Sequence, residues 1–448
     1  MGSLGELGPS DRRESLCRED PGINLTSALA SYVQHLELER AQLPSLKAQS
    51  CHDVAVRSSI VTLCNKVIAM TMDPEMYLFT TSLQFHFCSC LKVAVDLRVH
   101  EYIPRKGAIA VKQLAGAVGT DETLLRRIMR MLVNKSIFAE SEPGYYAHTP
   151  ASLVICSPNM PDLLSHRLED GFRAASRHAE ALAKLQYRDP TADDILGFQL
   201  AFATEKNYWD YVEEDDPECG QRFSKAMRAV TVNKLGDVPK LYPFNKIVDD
   251  GGLIVDVGGG MGQVAQSILT HWPGLGLKCI VQDKFASKNG STHPDLEMQS
   301  YDFFSPQPVK GMATLNVPIT PSDDRDTETP RYTSLTSLVL GAAAYLFRHI
   351  FHDWPDDACI KILKNTAEAI NPQRSRILIC DQIMEEENPS TAAVLYDIDM
   401  MCLYGGKERT LSEWKAMLKA ADQRLEIKNV FRSPNQVSGI LEVQLCCD

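Results

Sequence analysis

Residues 253–262 read Leu-Ile-Val-Asp-Val-Gly-Gly-Gly-Met-Gly, and this stretch decides the fold class. The apolar run that ends at Val257 has the length of a buried strand, and a helical pattern follows over residues 264–269. Glycines between a strand and a helix let the backbone approach a ligand closely, and the helix start offers free amide groups. The stretch therefore predicts a ligand site at a strand-to-helix turn.

The spacing of these glycines narrows the class of ligand. Gly258, Gly260 and Gly262 alternate, whereas the dinucleotide fingerprint GxGxxG would need its third glycine at Gln263. The turn also lacks the GxxxxGK[ST] pattern that cradles nucleoside triphosphates. Both observations favour an adenosyl-type cofactor that has no pyrophosphate.

Polar residues follow three further predicted strands. Asp283 comes after the apolar run 279–281, where a carboxylate can accept hydrogen bonds from two ribose hydroxyls, although a helix cap is the alternative. His352 follows the apolar run 343–350, and the run 377–380 ends at Asp381. Ligands of open α/β proteins bind at the carboxyl edge of the sheet. We therefore expect the chemistry at this edge, with His352 as a candidate base.

The organisation of the chain changes near residue 250. Downstream, short apolar runs alternate with amphipathic helices, which is typical of a parallel sheet with crossover helices. Upstream, two helical patterns precede two short strands around Pro143 and Gly144, which predicts a winged helix. We expect a polar leader with one helix (1–70), a winged-helix domain (71–155), a helical linker lining a substrate pocket (156–245) and a catalytic domain (246–448).

Composition excludes several classes of function. The formal net charge is −12, which argues against a partner held by phosphate contacts, although Arg126, Arg127 and Arg130 leave a DNA-binding winged helix as an alternative. No run of about 18 apolar residues is present, and the start of the chain is polar, so neither a membrane span nor a secretory signal is expected. The 13 cysteines show no metal-ligand spacing. We expect a cytoplasmic protein without a metal site.

Five ordered motifs make the chain resemble one known family. They are residues 256–262 (Asp-Val-Gly-Gly-Gly-Met-Gly), 281–283 (Val-Gln-Asp), 301–309 (Tyr-Asp-Phe-Phe-Ser-Pro-Gln-Pro-Val), 348–357 (Arg-His-Ile-Phe-His-Asp-Trp-Pro-Asp-Asp) and 405–410 (Gly-Gly-Lys-Glu-Arg-Thr). From about residue 72 onward the chain resembles the S-adenosylmethionine-dependent O-methyltransferases of the caffeate and flavonoid type, and among them the fungal secondary-metabolite enzymes. The resemblance implies a Rossmann-like, doubly wound α/β methyltransferase sheet at the C-terminus, an N-terminal winged-helix dimerisation domain and a homodimer.

The resemblance also assigns residues to the cofactor, S-adenosylmethionine. The glycines of the turn face its methionine part, Asp283 its ribose, and two residues after the next strand its adenine. The full set of implied cofactor contacts is Gly258, Gly259, Gly260, Asp283, Asp302, Phe303 and Arg348.

For catalysis, the resemblance implies methyl transfer to a phenolic hydroxyl of an aromatic metabolite, without a metal. His352 matches the general base, and Asp381 and Glu408 match the acidic residues that flank it, the first of which is often Glu in plant proteins. Phe223 and Met227 resemble positions that line the substrate pocket, with core packing as an equal alternative.

The sequence departs from the family pattern at two places. Residues 312–340, an insertion over about 311–341, are rich in Thr, Ser, Pro and Asp where the family has a short connection. Such a segment is typical of a functional or disordered loop, or of retained intron sequence, and it raises the alternative of an inactive cofactor-binding partner protein. The second departure is Lys284-Phe285, where the family commonly has Leu-Pro.

Overall fold

The computed structural model describes Gln34 and residues 51–234, 238–284, 293–311, 341–432 and 438–446. The helix expected over residues 25–36, apart from Gln34, and the insertion 312–340 lie outside the described residues. The chain divides into two compact units, Met1–Gln84 and Phe85–Asp448.

The first unit contains two described helices, α1 (Cys51–Thr71) and α2 (Pro74–Ser82). The start of α2 is specified locally, because the carboxylate of Asp73 accepts hydrogen bonds from the backbone N–H groups of Glu75 and Met76, each at 3.1 Å. Proline in the first turn of α2 costs no hydrogen bond, since that N–H has no partner in a helix.

The second unit begins with the predicted winged helix. Its elements are α3 (Phe85–Asp96), α4 (Val99–Tyr102), β1 (Ala108–Ala110), α5 (Val111–Val118), α6 (Glu122–Asn134), β2 (Phe138–Glu142) and β3 (Tyr145–His148). The three strands form an antiparallel sheet in the order β1-β3-β2. Leu114 on α5 and Leu125, Met129 and Leu132 on α6 are fully buried, so the helical spacing of apolar residues builds this core.

Short helices connect the winged helix to the large sheet. They are α7 (Pro150–Ile155), α8 (Met160–His166), a π-helical turn (Arg167–Gly171), α9 (Phe172–Lys184), α10 (Gly197–Phe202), α11 (Tyr208–Glu214), α12 (Pro217–Lys234), α13 (Val238–Leu241) and a 3₁₀ turn (Phe244–Ile247). A cluster rich in aromatic residues, including Phe198 and Tyr208, forms their core together with apolar residues of a later helix.

The remaining elements build the predicted doubly wound sheet. They are β4 (Leu253–Val257), α14 (Gln263–His271), β5 (Lys278–Asp283), β6 (Leu296–Ser300), β7 (Ala342–Arg348), a 3₁₀ turn (Phe351–Asp353), α15 (Asp356–Ala367), β8 (Arg376–Met384), α16 (Thr391–Tyr404), β9 (Arg409–Thr410), α17 (Leu411–Ala421), β10 (Leu425–Arg432) and β11 (Ser438–Leu445).

The strand order is β6-β5-β4-β7-β8-β11-β10, and β9 pairs with β8. The strands β6, β5, β4, β7 and β8 are parallel, whereas β11 and β10 run antiparallel. Helices α15 and α17 contribute to a core on one side of the sheet and α14 to the other. The central strands β4 and β7 are nearly continuous apolar runs because both faces of the sheet are covered there, and the architecture confirms the expected fold class.

The register brings the ends of β4, β5 and β7 to one edge of the sheet. Val257 is paired with Gln282 on one side and with Phe347 on the other, so the residues that follow these strands emerge side by side. The prediction that a strand ends at Asp381 is wrong, because β8 continues to Met384. Beyond its last pair with β7, β8 stays paired with β11 through Asp381 and Gln382, and Ile383 and Met384 then pair with β9.

Candidate active site

The glycine turn after β4 is tightly enclosed at its start and open at its middle. Gly258 and Gly260 have φ of +69° and +56°, a region that favours glycine. A Cβ on Gly259 would lie 2.7 Å from Asp256 Cγ and 2.8 Å from Val281 Cγ1, whereas a Cβ on Gly260 would meet nothing within 4 Å. The turn therefore forms a backbone cradle with space beside Gly260.

The carboxylate predicted to bind ribose is joined to this cradle. Asp283 is the last residue of β5, and its Oδ2 accepts a hydrogen bond from the N–H of Gly260 at 2.9 Å. The carbonyl of Gln282, one residue earlier, accepts the N–H groups of Gly258 and Gly259 at 2.7 and 3.2 Å. The end of β5 thus holds the glycine turn in place and positions Asp283 beside it.

Asp302 and Phe303 follow β6, and Phe303 approaches the same turn. The exposed Asp302 accepts a hydrogen bond from the N–H of Phe304 at 2.9 Å, which shapes the loop. The ring of Phe303 lies 3.8 Å from the position that a Cβ on Gly258 would occupy. The structure therefore brings Phe303 to the turn, with Asp302 beside it.

Arg348 ends β7 among buried carboxyl groups. Burial lowers the pKa of Arg348, and the charges of Asp256 and Asp381 oppose this effect. Burial raises the pKa of Asp256 to about 7, although the charge of Arg348 opposes this. Burial likewise raises the pKa of Asp381 to about 7, although the charge of His352 opposes this. Within the described part of the chain, Asp256 Oδ2 and both Asp381 oxygens have no hydrogen-bond partner.

His352 lies on the 3₁₀ turn after β7 and is held by two carboxylates. Its Nδ1–H donates to Glu408 Oε1 at 2.9 Å, and its Nε2 lies 3.5 Å from Asp353 Oδ1. Its side chain is 17% exposed. Because Glu408 engages Nδ1, the nitrogen that can take a proton from a substrate is Nε2.

The surroundings make His352 a strong base. Burial lowers its pKa, but the charges of Asp353, Glu408 and Asp381 outweigh burial and raise it to about 10. Burial also raises the pKa of Asp353 to about 6, although the charge of His352 opposes this. Near neutral pH this cluster therefore retains at least one proton.

The other two predicted catalytic residues, Glu408 and Asp381, interact with His352 in different ways. Glu408 hydrogen-bonds His352, whereas Asp381 acts on the imidazole through charge without a hydrogen bond to it. Sequence reasoning missed Asp353, whose position next to His352 was the available signal. It also gave no role to Arg409, which lies in the motif over residues 405–410 and is fully buried beside this cluster.

Aromatic rings continue from the catalytic turn into the linker helices. Trp354 stacks on Trp209 with ring centroids 6.2 Å apart, and Trp209 stacks on Tyr404 at 5.3 Å. Phe223 meets Trp209 edge-on at 5.3 Å, while Met227 is half-buried. Phe223 therefore belongs to an aromatic cluster that reaches the residue two positions after His352.

Other kinds of site lack support in the described ranges. No group of three or more His, Cys, Asp or Glu side chains there could hold a metal ion. Among the described residues, no helix combines the length and the apolar character needed to cross a membrane. Arg126 of the winged helix forms an ion pair with Glu122 at 3.0 Å on its own helix.

Two family models and two curated proteins match the chain. Residues 79–157 match a family model described as an O-methyltransferase dimerisation domain, and residues 334–424 match one described as an O-methyltransferase domain. The O-methyltransferase agiB of Aspergillus flavus is 83% identical over 71% of this chain and 100% of its own length. The O-methyltransferase penK of Penicillium thymicola is 47% identical over 99% of this chain and 100% of its own length.

A solved structure agrees with the fold. The crystal structure of OxaC in complex with SAH and oxaline has a TM-score of 0.74 at 22% identity, covering 94% of this chain and all of that one.

Proposed function

Since the chain belongs to the O-methyltransferases of fungal secondary metabolism, we propose that it transfers the methyl group of S-adenosylmethionine to a phenolic hydroxyl of an aromatic metabolite. The observation that carries this proposal is the hydrogen bond of 2.9 Å between His352 and Glu408, at the same sheet edge as the glycine turn. The dimerisation domain supports a homodimer.

The residues at the glycine turn fit the cofactor. The cradle has room at Gly260, and Asp283 beside it can accept hydrogen bonds from ribose hydroxyls. Phe303 offers a ring face for an adenine, with Asp302 next to it in the chain, and Arg348 ends β7, the strand beside β4. The buried and unpartnered oxygen of Asp256 suits a cationic ligand close by. When bound, S-adenosylmethionine supplies a methyl group already activated by its sulfonium.

The side chains of this protein then handle the proton of the acceptor. A phenol with a pKa near about 10 is a poor nucleophile at neutral pH, so it needs a base as it attacks. His352 Nε2 takes this proton, while Glu408 holds Nδ1–H, orients the ring and stabilises the imidazolium. The raised pKa of His352, about 10, matches that of the phenol, so the proton transfer is nearly balanced in energy.

The aromatic cluster provides a surface for the acceptor. Trp354 connects the catalytic turn to Phe303 and Phe304, with ring centroids 5.9 and 4.8 Å apart, and to Trp209 on the linker side. Aromatic ring pairs contribute about 0.5–1.5 kcal/mol each beyond the burial of area. These rings favour a planar, aromatic acceptor over an aliphatic alcohol.

The test is methyl transfer from S-adenosylmethionine to a panel of phenols. We expect His352→Ala to lower kcat by about 100-fold or more, because a general base contributes about that much. The affinity for S-adenosylhomocysteine should stay the same. His271→Ala is the control, since this exposed histidine lies at the far end of α14. Wild-type turnover by His352→Ala would show that another group is the base.

A further inference from the structure

Arg409 is a fully buried arginine whose hydrogen bonds converge on the catalytic turn. Its Nε donates to Asp356 Oδ1 at 2.8 Å. One terminal nitrogen donates to the carbonyls of Phe351 and Lys407 at 2.9 and 3.1 Å, and the other donates to the carbonyl of Trp354 at 2.9 Å. The side chain has no exposed surface. The guanidinium therefore bridges two separate pieces of backbone.

These two pieces are the ones that carry His352 and Glu408. Phe351 and Trp354 bound the pair His352 and Asp353, and Lys407 precedes Glu408 directly. A backbone hydrogen bond at 3.0 Å, from the N–H of Lys407 to the carbonyl of His352, adds a further link. The hydrogen bond between the His352 ring and the Glu408 carboxylate thus rests on a backbone frame that Arg409 ties together.

Gly406 shows how closely this frame is packed. A Cβ on Gly406 would overlap the carbonyl oxygen of His352 and lie 2.8 Å from the carbonyl carbon of Asp353. No side chain fits at this contact, so the segment before Glu408 approaches the catalytic turn through glycine alone. The close approach and the arginine are independent observations on the same frame.

The chemistry of the contact requires arginine. Guanidinium presents five N–H donors in a rigid plane, which can hold two carbonyls on the turn, the carbonyl of Lys407 before β9 and a carboxylate at once. Lysine has three donors on a flexible stem and cannot reach the same set. The carboxylate of Asp356 compensates the buried charge at 2.7 Å, and the Trp414 ring lies 5.5 Å from the Arg409 Cζ.

We propose that Arg409 is a positioning residue that sets the geometry, and through it the proton affinity, of the His352–Glu408 pair. The inference rests on the proposed role of His352 as the base. Arg409 itself does not touch the acceptor or the cofactor, since its donors are all occupied by the frame.

The first test compares three variants of the full chain. Arg409→Lys keeps the charge but loses the fork, and Gly406→Ala keeps Arg409 but pushes the two backbones apart. Arg376→Lys is the matched control, because Arg376 is also buried and paired with acids but starts β8 at the opposite edge of the sheet. We expect kcat to fall by about 100-fold in the first two variants, as for a misplacement of about 1 Å, with the affinity for S-adenosylhomocysteine unchanged. In the control only the melting temperature should fall.

The second test follows the imidazole directly and needs no turnover. In protein labelled at histidine Cε1, the His352 resonance is assigned by comparison with His352→Ala and titrated by NMR. Because lysine retains the positive charge, a lower His352 pKa in Arg409→Lys reports a weakened contact with Glu408. We expect this decrease in both frame variants and not in Arg376→Lys.

The outcomes separate the two proposals. An unchanged His352 titration and unchanged kcat in Arg409→Lys, together with a lower melting temperature, would make Arg409 structural only and overturn the inference. A lowered His352 pKa in Arg409→Lys, combined with full turnover by His352→Ala, would keep the positioning role but remove the base from the proposed mechanism.

Discussion

Two turns at one sheet edge are built in opposite ways. The glycine turn (residues 258–262) follows β4, and the histidine turn (residues 349–354) follows β7, its neighbour in the sheet. In each turn the first residue after the strand has a positive φ, namely +69° at Gly258 and +53° at His349. In the glycine turn this conformation is free of strain, whereas in His349 it costs about 1–2 kcal/mol.

The difference lies in what holds each turn. The glycine turn is held by the carbonyl of Gln282 on the adjacent strand and by Asp283. The histidine turn is joined to the adjacent strand only at its start, where the carbonyl of Cys380 accepts the N–H of His349 at 3.1 Å. Its catalytic part is held by Lys407 and Arg409, more than fifty residues further along the chain. Cofactor affinity should therefore depend on a local motif, while the basicity of His352 should depend on a distant one. The following changes test this separation, from the largest expected effect to the smallest.

The largest effect should come from filling the glycine cradle. In Gly259→Val, even the first added carbon would lie within 2.8 Å of Asp256 and Val281. We expect the Kd for S-adenosylhomocysteine, measured by calorimetry, to rise by more than about 100-fold, since overpacking of this kind costs about 3 kcal/mol. Gly116→Ala is the control, because a Cβ there meets nothing within 4 Å. Unchanged affinity in Gly259→Val would mean that the cofactor binds elsewhere.

The next effect concerns the histidine turn alone. A neutral imidazole is the active form, so kcat/KM should rise with pH from neutral toward about 10, the pKa to which the surrounding carboxylates raise His352. Glu408→Gln removes one of these charges and lowers the His352 pKa. The rising limb should therefore move to lower pH by about one unit, and the plateau should fall by about 100-fold as the base weakens and its tautomer is lost.

The measurement is a pH profile of kcat/KM with cofactor at saturation, alongside the Kd for S-adenosylhomocysteine. Glu413→Gln is a suitable control, because Glu413 caps α17 nearby without contacting His352. A pH profile of Glu408→Gln that coincides with that of the wild type would show that the Glu408 carboxylate does not influence the base.

A smaller effect is expected from a change at Asp283, which is predicted to bind the ribose and is hydrogen-bonded to the glycine turn. In Asp283→Asn the amide can still accept one hydrogen bond but loses the charge, and the hydrogen bond to the N–H of Gly260 weakens. We expect the Kd for S-adenosylhomocysteine to rise by about tenfold, the equivalent of about 1.4 kcal/mol, with kcat at saturating cofactor unchanged. A fall in kcat instead of affinity would contradict the separation of the two turns.

The same contrast explains what could be predicted from the sequence. The strand, turn and helix around Gly258 are encoded in adjacent residues, so their pattern identified both the fold class and the cofactor edge. His352 was identified because it follows an apolar strand. Arg409 was not, because its role depends on burial and on the carbonyls of Phe351 and Trp354, which no spacing reveals. The end of β8 was missed for a similar reason, since its extension past Asp381 depends on pairing with β11 at Gln382 and with β9 at Ile383 and Met384.

The smallest effect should follow from deleting residues 312–340, the segment behind the alternative of an inactive partner protein. The residues on either side of it meet, because the carbonyl of Lys310 accepts the N–H of Ala342 at 2.9 Å and Gly311 donates to Ala369 at 2.7 Å. Both contacts lie at the amino end of β7, about 20 Å along the strand from the edge that carries His352. Joining Gly311 to Gly341 should therefore leave kcat and the affinity for S-adenosylhomocysteine within about twofold of the full chain. If the shortened chain turned over substrate and the full chain did not, the inactive-partner alternative would be established. The segment would then act on the active edge from an attachment point at the amino end of β7.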